Sequence, residues 1–144
     1  MVKQIEYRIS ELIEDVYKFN YDFDFTKLDK SSLQFQFEHS IGISAEQESL
    51  IITFRAYLTC GAQELVVQGV RATFVTKPFE NFVDIIKDDM FKVSAPELVH
   101  TFISVCIGAA RGMLAKNLKG TALDGFVIPL VPMNVITENA LMEK

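Results

Sequence analysis

Side chains able to do acid–base or nucleophilic chemistry are few in this chain. There are two histidines, His39 and His100, and two cysteines, Cys60 and Cys106. His39 falls in phase with the apolar residues of a strand-like stretch, and His100 stands near the start of an apolar helix-like one. Each reads as a structural histidine with its hydrogen bonds satisfied. Cys106 and His100 lie six residues apart, a spacing that puts them on different sides of a helix and disfavours a thiol–imidazole dyad. The separations match no zinc pattern, and no glycine-rich phosphate cradle is present. The pairs Glu46/Glu48 and Asp88/Asp89 fall in a turn and at a helix end, which are ordinary solvated positions. Arg111 is a lone charge in an apolar stretch. It either neutralises a carboxylate across an interface or marks where the helix end surfaces. This inventory points away from an enzyme and implies neither a cofactor nor a metal.

What the chain does offer is apolar area. Tyr17, Phe19, Tyr21, Phe23 and Phe25 alternate with Lys18, Asn20, Asp22 and Asp24, a period that reads as one aromatic face of a strand. The rings are either core, stacked on a sheet, or a rim for extended apolar polypeptide, since aromatics give large contact area at low entropic cost.

The elements that position these residues follow from periodicity. Leu33, Phe35, Phe37, Ile41 and Ile43 alternate with polar residues over 33–44, and a polar turn, Ala45-Glu46-Gln47-Glu48, follows. Leu50, Ile52, Phe54, Ala56, Leu58 and Cys60 repeat the alternation, and after Gly61-Ala62-Gln63 a third run covers 64–76. Short connections between such runs predict an antiparallel meander. The N-terminal 25 residues fit two descriptions, one long bulged strand or a short helix between two strands, because Ile9, Leu12, Ile13, Val16 and Tyr17 also have helical spacing behind a possible cap at Ser10. Pro78 opens a short predicted helix carrying Phe79, Phe82, Val83 and Ile86. Ser94-Ala95-Pro96-Glu97 reads as a capping box starting a long helix to about Asn117. That helix is apolar nearly all round, which predicts cover on every side. Ser104, Gly108 and Gly112 form a small-residue stripe at spacing four, suited to close approach of another helix at an oligomer interface. A glycine- and proline-punctuated stretch and a last short helix from Asn134 to about Met142 complete the chain. Strands first and helices second predict an α+β class with an antiparallel sheet.

At 144 residues and 16.3 kDa, with no low-complexity linker or repeat, residues 1–144 read as one domain. The chain is 49% apolar with a mean hydropathy of +0.21, more than one small core requires, which suggests an oligomer or a binding surface. A net charge of −5 leaves no basic footprint for nucleic acid. The first residues form no signal-peptide stretch, and the window Leu98 to Ala115 contains His100 and Arg111, so a buried or interface helix is expected rather than membrane insertion. Two cysteines within apolar runs read as reduced, which fits a cytoplasmic location.

The order of elements resembles the SecB export chaperone family over roughly residues 5–142. The resemblance is carried by Ala72-Thr73-Phe74-Val75, by Ala95-Pro96-Glu97-Leu98 leading into Val105-Cys106-Ile107, and by Phe126-Val127-Ile128-Pro129-Leu130-Val131 before Asn134. It implies a long first strand, a four-stranded antiparallel sheet with two or three helices on one face, and assembly as a dimer or tetramer through the long helices. It also implies an ATP-independent holdase that grips unfolded polypeptide in an apolar groove lined by Tyr21, Phe23, Phe25, Phe74, Val135 and Ile136. Two departures stand out. The chain ends at Lys144 without the family's C-terminal tail, and Val67 occupies a position that is acidic in SecB. Docking to a translocase motor is therefore not expected. The alternative expectation is a homo-oligomer dedicated to one specific protein partner.

Overall fold

A computed structural model describes residues 6–87 and 90–131. The first strand, β1 (Glu6–Phe19), is followed by two 3₁₀ turns at Phe25–Lys27 and Lys30–Ser32. Then come β2 (Leu33–Ser44), β3 (Ser49–Cys60) and β4 (Gln63–Lys77), the one-turn helix α1 (Phe79–Phe82), a hairpin of β5 (Val83–Lys87) and β6 (Met90–Val93), and the helix α2 (Pro96–Asn117). The main sheet is antiparallel throughout with strand order β1-β4-β3-β2, and β5-β6 form a separate pair. The meander therefore has the predicted boundaries to within a residue or two.

Alternation separates the two faces of this sheet. Leu50, Ile52, Phe54, Ala56 and Leu58 of β3 are buried on one face together with Val66, Val70, Ala72 and Phe74 of β4. α2 packs on that face and adds Val99, Phe102, Ile103, Cys106, Ile107, Ala110 and Leu114 to a single core. By length and composition α2 is apolar enough to cross a membrane, yet it lies along the sheet as a core helix. Its C-terminal end is tied down by a polar lock. Gln68, fully buried, donates to Glu14 Oε2 at 2.9 Å and accepts from Asn117 Nδ2 at 2.9 Å, and Asn117 also donates to Glu14 at 2.7 Å. A buried amide is tolerated because it is bonded in this way.

The N-terminal ambiguity resolves to the long bulged strand. The β1–β4 register shifts between Ile9 and Glu11 and again between Glu14 and Val16, leaving Ser10 and Asp15 as the extra residues. Three expectations are corrected. The aromatic alternation does not continue as a strand beyond Phe19. Asn20 accepts from the Asp22 amide at 3.0 Å and Asp24 from the Thr26 amide at 3.1 Å, and such side-chain-to-backbone bonds turn the chain. The helix expected over 79–86 is a single turn, because the β-branched Val83, Ile85 and Ile86 pass into the hairpin. The capping box does not form. Ala95 is the N-cap, and Ser94 Oγ instead donates to the carbonyls of Asn81 at 2.6 Å and Phe82 at 3.2 Å, closing the hairpin base. Within the protomer α2 leaves Val105, Gly108 and Gly112 exposed. Of the two or three helices expected, the described residues hold one long helix and one turn. The helix predicted from Asn134 lies outside them.

Candidate functional site

The histidines and cysteines are dispersed. Cys106 is fully buried in the core, and burial pushes its thiol up to about 12, out of nucleophilic range at neutral pH. His39 and His100 each carry a buried Nε2 that meets no hydrogen-bond partner. Among the described residues no group of His, Cys, Asp or Glu could hold a metal ion.

Within the protomer Arg111 serves as a tie between two segments. Its Nε donates to the Ile128 carbonyl and its Nη2 to the Pro129 carbonyl, each at 2.8 Å. The guanidinium thus ties α2 to the extended segment that follows it.

The solvent side of the main sheet is polar and built around one ion pair. Asp15, on the second bulge of β1, accepts from Arg55 Nε at 2.9 Å and Nη2 at 2.7 Å. This hydrogen-bonded carboxylate holds the Arg55 guanidinium above its usual range. Gly69, the residue between them on β4, makes the contact possible. A Cβ there would come within 2.7 Å of Val16 Cγ1 and 3.1 Å of Arg55 Cγ. The basin on this face, about 500 Å³, is lined by Asp15, Glu38, Ser40, Thr53, Arg55 and Arg71 among others. With two carboxylates and two guanidiniums it favours neither sign of charge. Val67 of β4 is buried, at 5% exposure.

The apolar surface lies on the opposite face, toward β2. Phe19 pairs in register with Val66, Val66 with Leu58 and Leu58 with Phe35, so one row crosses all four strands. At its β1 end the rings of Phe19 and Tyr21 stand 4.6 Å apart, Phe19 and Phe25 5.5 Å, and Phe23 and Phe25 5.0 Å. Phe23 and Phe25 are half-buried against the core, while Tyr21 is 77% exposed. Phe23 and Phe25 thus pack as core-side rings, while Tyr21 stands open to solvent. On β2, Phe35 and Phe37 stack at 6.1 Å, Phe37 stacks on Phe54 at 5.8 Å, and Phe37 keeps 36% of its surface exposed. Phe35, Ile41 and Ile43 of the same face are only partly covered.

The two sheet edges differ in kind. β1 carries six charged side chains and two bulges, devices that discourage another strand from pairing. β2 pairs with β3 in unbroken register over twelve residues and carries Glu38 but no lysine, arginine or proline. Among the described residues its outward backbone makes no strand-type bond. β2 is thus a flat, nearly uncharged edge beside half-open apolar side chains.

The structure brings together Tyr21, Phe23 and Phe25 but not Phe74. That ring is 3% exposed, stacks on Phe102 at 4.1 Å beneath α2, and sits eight residues along β4 from the Val66 row. Val135 and Ile136 lie outside the described residues. Ser104, Gly108 and Gly112 do share the outward face of α2, next to Val105 at 40% exposure. Beside this face, on β1, Tyr7 meets Phe102 with ring centroids 5.7 Å apart, and Tyr7, Ile9 and Leu12 are 51%, 44% and 43% exposed. Sequence reasoning missed the β2 edge and the Arg55–Asp15 pair. A strand almost free of charge signalled the first, and a glycine inside a strand signalled the second.

No protein-family model matches the chain, and no curated protein matches it. Among solved structures, the Mycobacterium tuberculosis Rv1957 SecB-like chaperone, in complex with a ChAD peptide from the Rv1956 HigA1 antitoxin, superposes with a TM-score of 0.53 at 8% identity. The match covers 88% of each chain. A Streptococcus agalactiae protein of unknown function gives a TM-score of 0.40 at 10% identity, over 89% of this chain and 100% of that one. At such identities the first likeness speaks to architecture alone: this chain has the fold of a SecB-like chaperone.

Proposed function

We propose that the chain is a cytoplasmic, non-catalytic, ATP-independent chaperone of holdase type that binds extended polypeptide. The observation that carries this reading is the pairing of an aromatic, half-open apolar strip with an unguarded strand edge on a SecB-like fold. The strip supplies area, at roughly 25 cal/mol per Å² removed from water. The edge of β2 supplies backbone donors and acceptors that any extended chain satisfies, so binding does not depend on the client's sequence. Tyr21, Phe23 and Phe25 with Phe35 and Phe37 are the contact residues, and Val135 and Ile136 are proposed as further client contacts on the SecB resemblance alone. Ordering an unfolded client costs several kcal/mol, so contact is spread over many weak sites and release needs no nucleotide.

The protomers assemble, as a dimer or a tetramer, through the outward face of α2 at Ser104, Gly108 and Gly112. Translocase-motor docking is not part of the proposal, because Val67 is apolar and buried where SecB has an acidic side chain. Unfolded substrate proteins, held at near-stoichiometric ratio to the chaperone, should stay in solution during dilution from denaturant. Unchanged aggregation would count against general holdase activity. A second reading, a chaperone dedicated to one partner, is favoured by the peptide that the Rv1957 neighbour holds, which comes from a single antitoxin. It predicts one tight complex in a pull-down and no general suppression of aggregation.

A further inference from the structure

The ladder behind β2 settles which of its backbone groups face outward. Across the Ser49–Val75 pair the Thr76 amide donates to the Glu48 carbonyl at 2.9 Å, so Ser49 turns its own amide and carbonyl toward β2. Counting back through the unbroken β2–β3 register from Ser44–Ser49, the even-numbered residues of β2 bond to β3. The far side of the sheet gives the same parity. There the Asn20 amide donates to the Leu65 carbonyl at 2.8 Å, and the row Phe19, Val66, Leu58, Phe35 carries the alternation across to β2. Phe35, Phe37, His39, Ile41 and Ile43 therefore point their amides and carbonyls away from the sheet. Their side chains lie in phase with the buried residues of β3.

This strand is close to a palindrome. Residues paired across two antiparallel strands share a sheet face, so a two-fold axis relating two copies of β2 passes through a residue and never between two. An axis at Glu38 sets two carboxylates opposite each other in a close, non-hydrogen-bonded pair, which is repulsive. An axis at Ser40 sets Phe35 against Ala45, beyond the end of the strand. An axis at His39 sets Phe35 opposite Ile43, Phe37 opposite Ile41 and Glu38 opposite Ser40. Each hydrogen-bonded pair is then made by residues whose groups are free, and rings meet β-branched side chains, a favourable cross-strand combination. A second copy thus matches the edge at every position, in charge as well as in shape.

We propose that a second copy of this chain pairs with the β2 edge, antiparallel and in register about His39, and that this contact covers the edge until dilution or a client frees it. Competition with a client rests on the polypeptide-binding reading above; the pairing of copies does not. Apparent client affinity falls in proportion to the fraction of edges that are paired.

The test compares the full chain with Ser40→Glu, Ser40→Lys, Gln36→Glu and the double variant Glu38→Lys/Ser40→Glu. All three positions are exposed, and urea melts serve as the fold control. Sedimentation velocity over a dilution series reads the assembly. Ser40→Glu faces Glu38 twice about the axis and should raise the dissociation constant about tenfold, whereas Ser40→Lys should lower it about threefold. The double variant should return it to the starting value or below. Gln36→Glu, which adds the same charge opposite Gly42, should change it less than about twofold. Fluorescence anisotropy with labelled, reduced and carboxymethylated α-lactalbumin, a permanently unfolded probe, should show tighter binding by Ser40→Glu and loss of the paired species as the probe binds. Unaltered assembly in every variant, or equal weakening by Ser40→Glu and Gln36→Glu, overturns the pairing; probe binding by the same proteins leaves the chaperone reading standing. Probe bound without loss of the paired species overturns the covering of the edge. The predicted charge pattern with no probe binding by any variant upholds the pairing and removes the chaperone reading.

Discussion

Gly108→Ala combined with Gly112→Ala perturbs the outward face of α2 without touching its core face. Neither position has any neighbour within 4 Å of where a Cβ would stand, so each methyl group is free of strain inside the protomer. A helix-interior glycine costs about 1 kcal/mol relative to alanine. The double variant should therefore stabilise the isolated protomer by about 2 kcal/mol, raising Tm by roughly 4–8 °C for a chain of this length. The assembly responds in the opposite sense. If two copies of α2 cross at these glycines, a symmetric dimer receives four new methyl groups in a contact with no room for them. Overpacking of that kind costs about 1–3 kcal/mol, which raises the dissociation constant by about five- to 150-fold. Sedimentation velocity over a dilution series reads the assembly, and melts recorded below the dissociation constant read the protomer. A higher Tm with unaltered assembly would show that this face of α2 meets solvent and that the stripe is not the interface.

Gly69→Ala should destabilise the fold by about 1–3 kcal/mol in urea, because its Cβ would stand 2.7 Å from Val16 Cγ1 and 3.1 Å from Arg55 Cγ; a loss below about 0.5 kcal/mol would contradict the close packing around the Arg55–Asp15 pair. Tyr21→Ser removes a ring that is 77% exposed, so urea stability should stay within about 0.5 kcal/mol while affinity for an unfolded polypeptide drops about three- to tenfold. Cys106, whose buried thiol titrates near 12, should resist iodoacetamide at pH 8 until denaturant is added, whereas the half-buried Cys60 reacts first; mass spectrometry of the digested protein distinguishes the two sites.

The meander was legible because one sheet face meets the core and the other meets water, so Leu50 through Leu58 had to alternate with Ile51, Thr53, Arg55 and Tyr57. α2 was legible through Pro96 and its sustained apolar repeat. Where period-two spacing persisted without a strand, at Tyr21, Phe23 and Phe25, the asparagine and aspartates between the rings carried the true signal, since they turn the backbone. The hairpin at 83–93 was hidden because Phe79, Phe82, Val83 and Ile86 fit a helical repeat equally well over so short a window. The site depends on features with no local signature. Which edge of the sheet is open follows from strand order, and the Arg111 fork joins residues seventeen and eighteen positions apart. The aromatic cluster could be named from sequence. Its partner, the edge of β2, required the topology.

Isotope-edited NMR of the protein titrated with a permanently unfolded polypeptide would locate the contact surface directly. The account predicts that perturbed amides concentrate in residues 19–33 and along β2, with new protection of the outward amides of β2 as a client strand pairs there. A saturating titration that left those residues unmoved, or moved only the polar basin around Arg55 and Arg71, would contradict it.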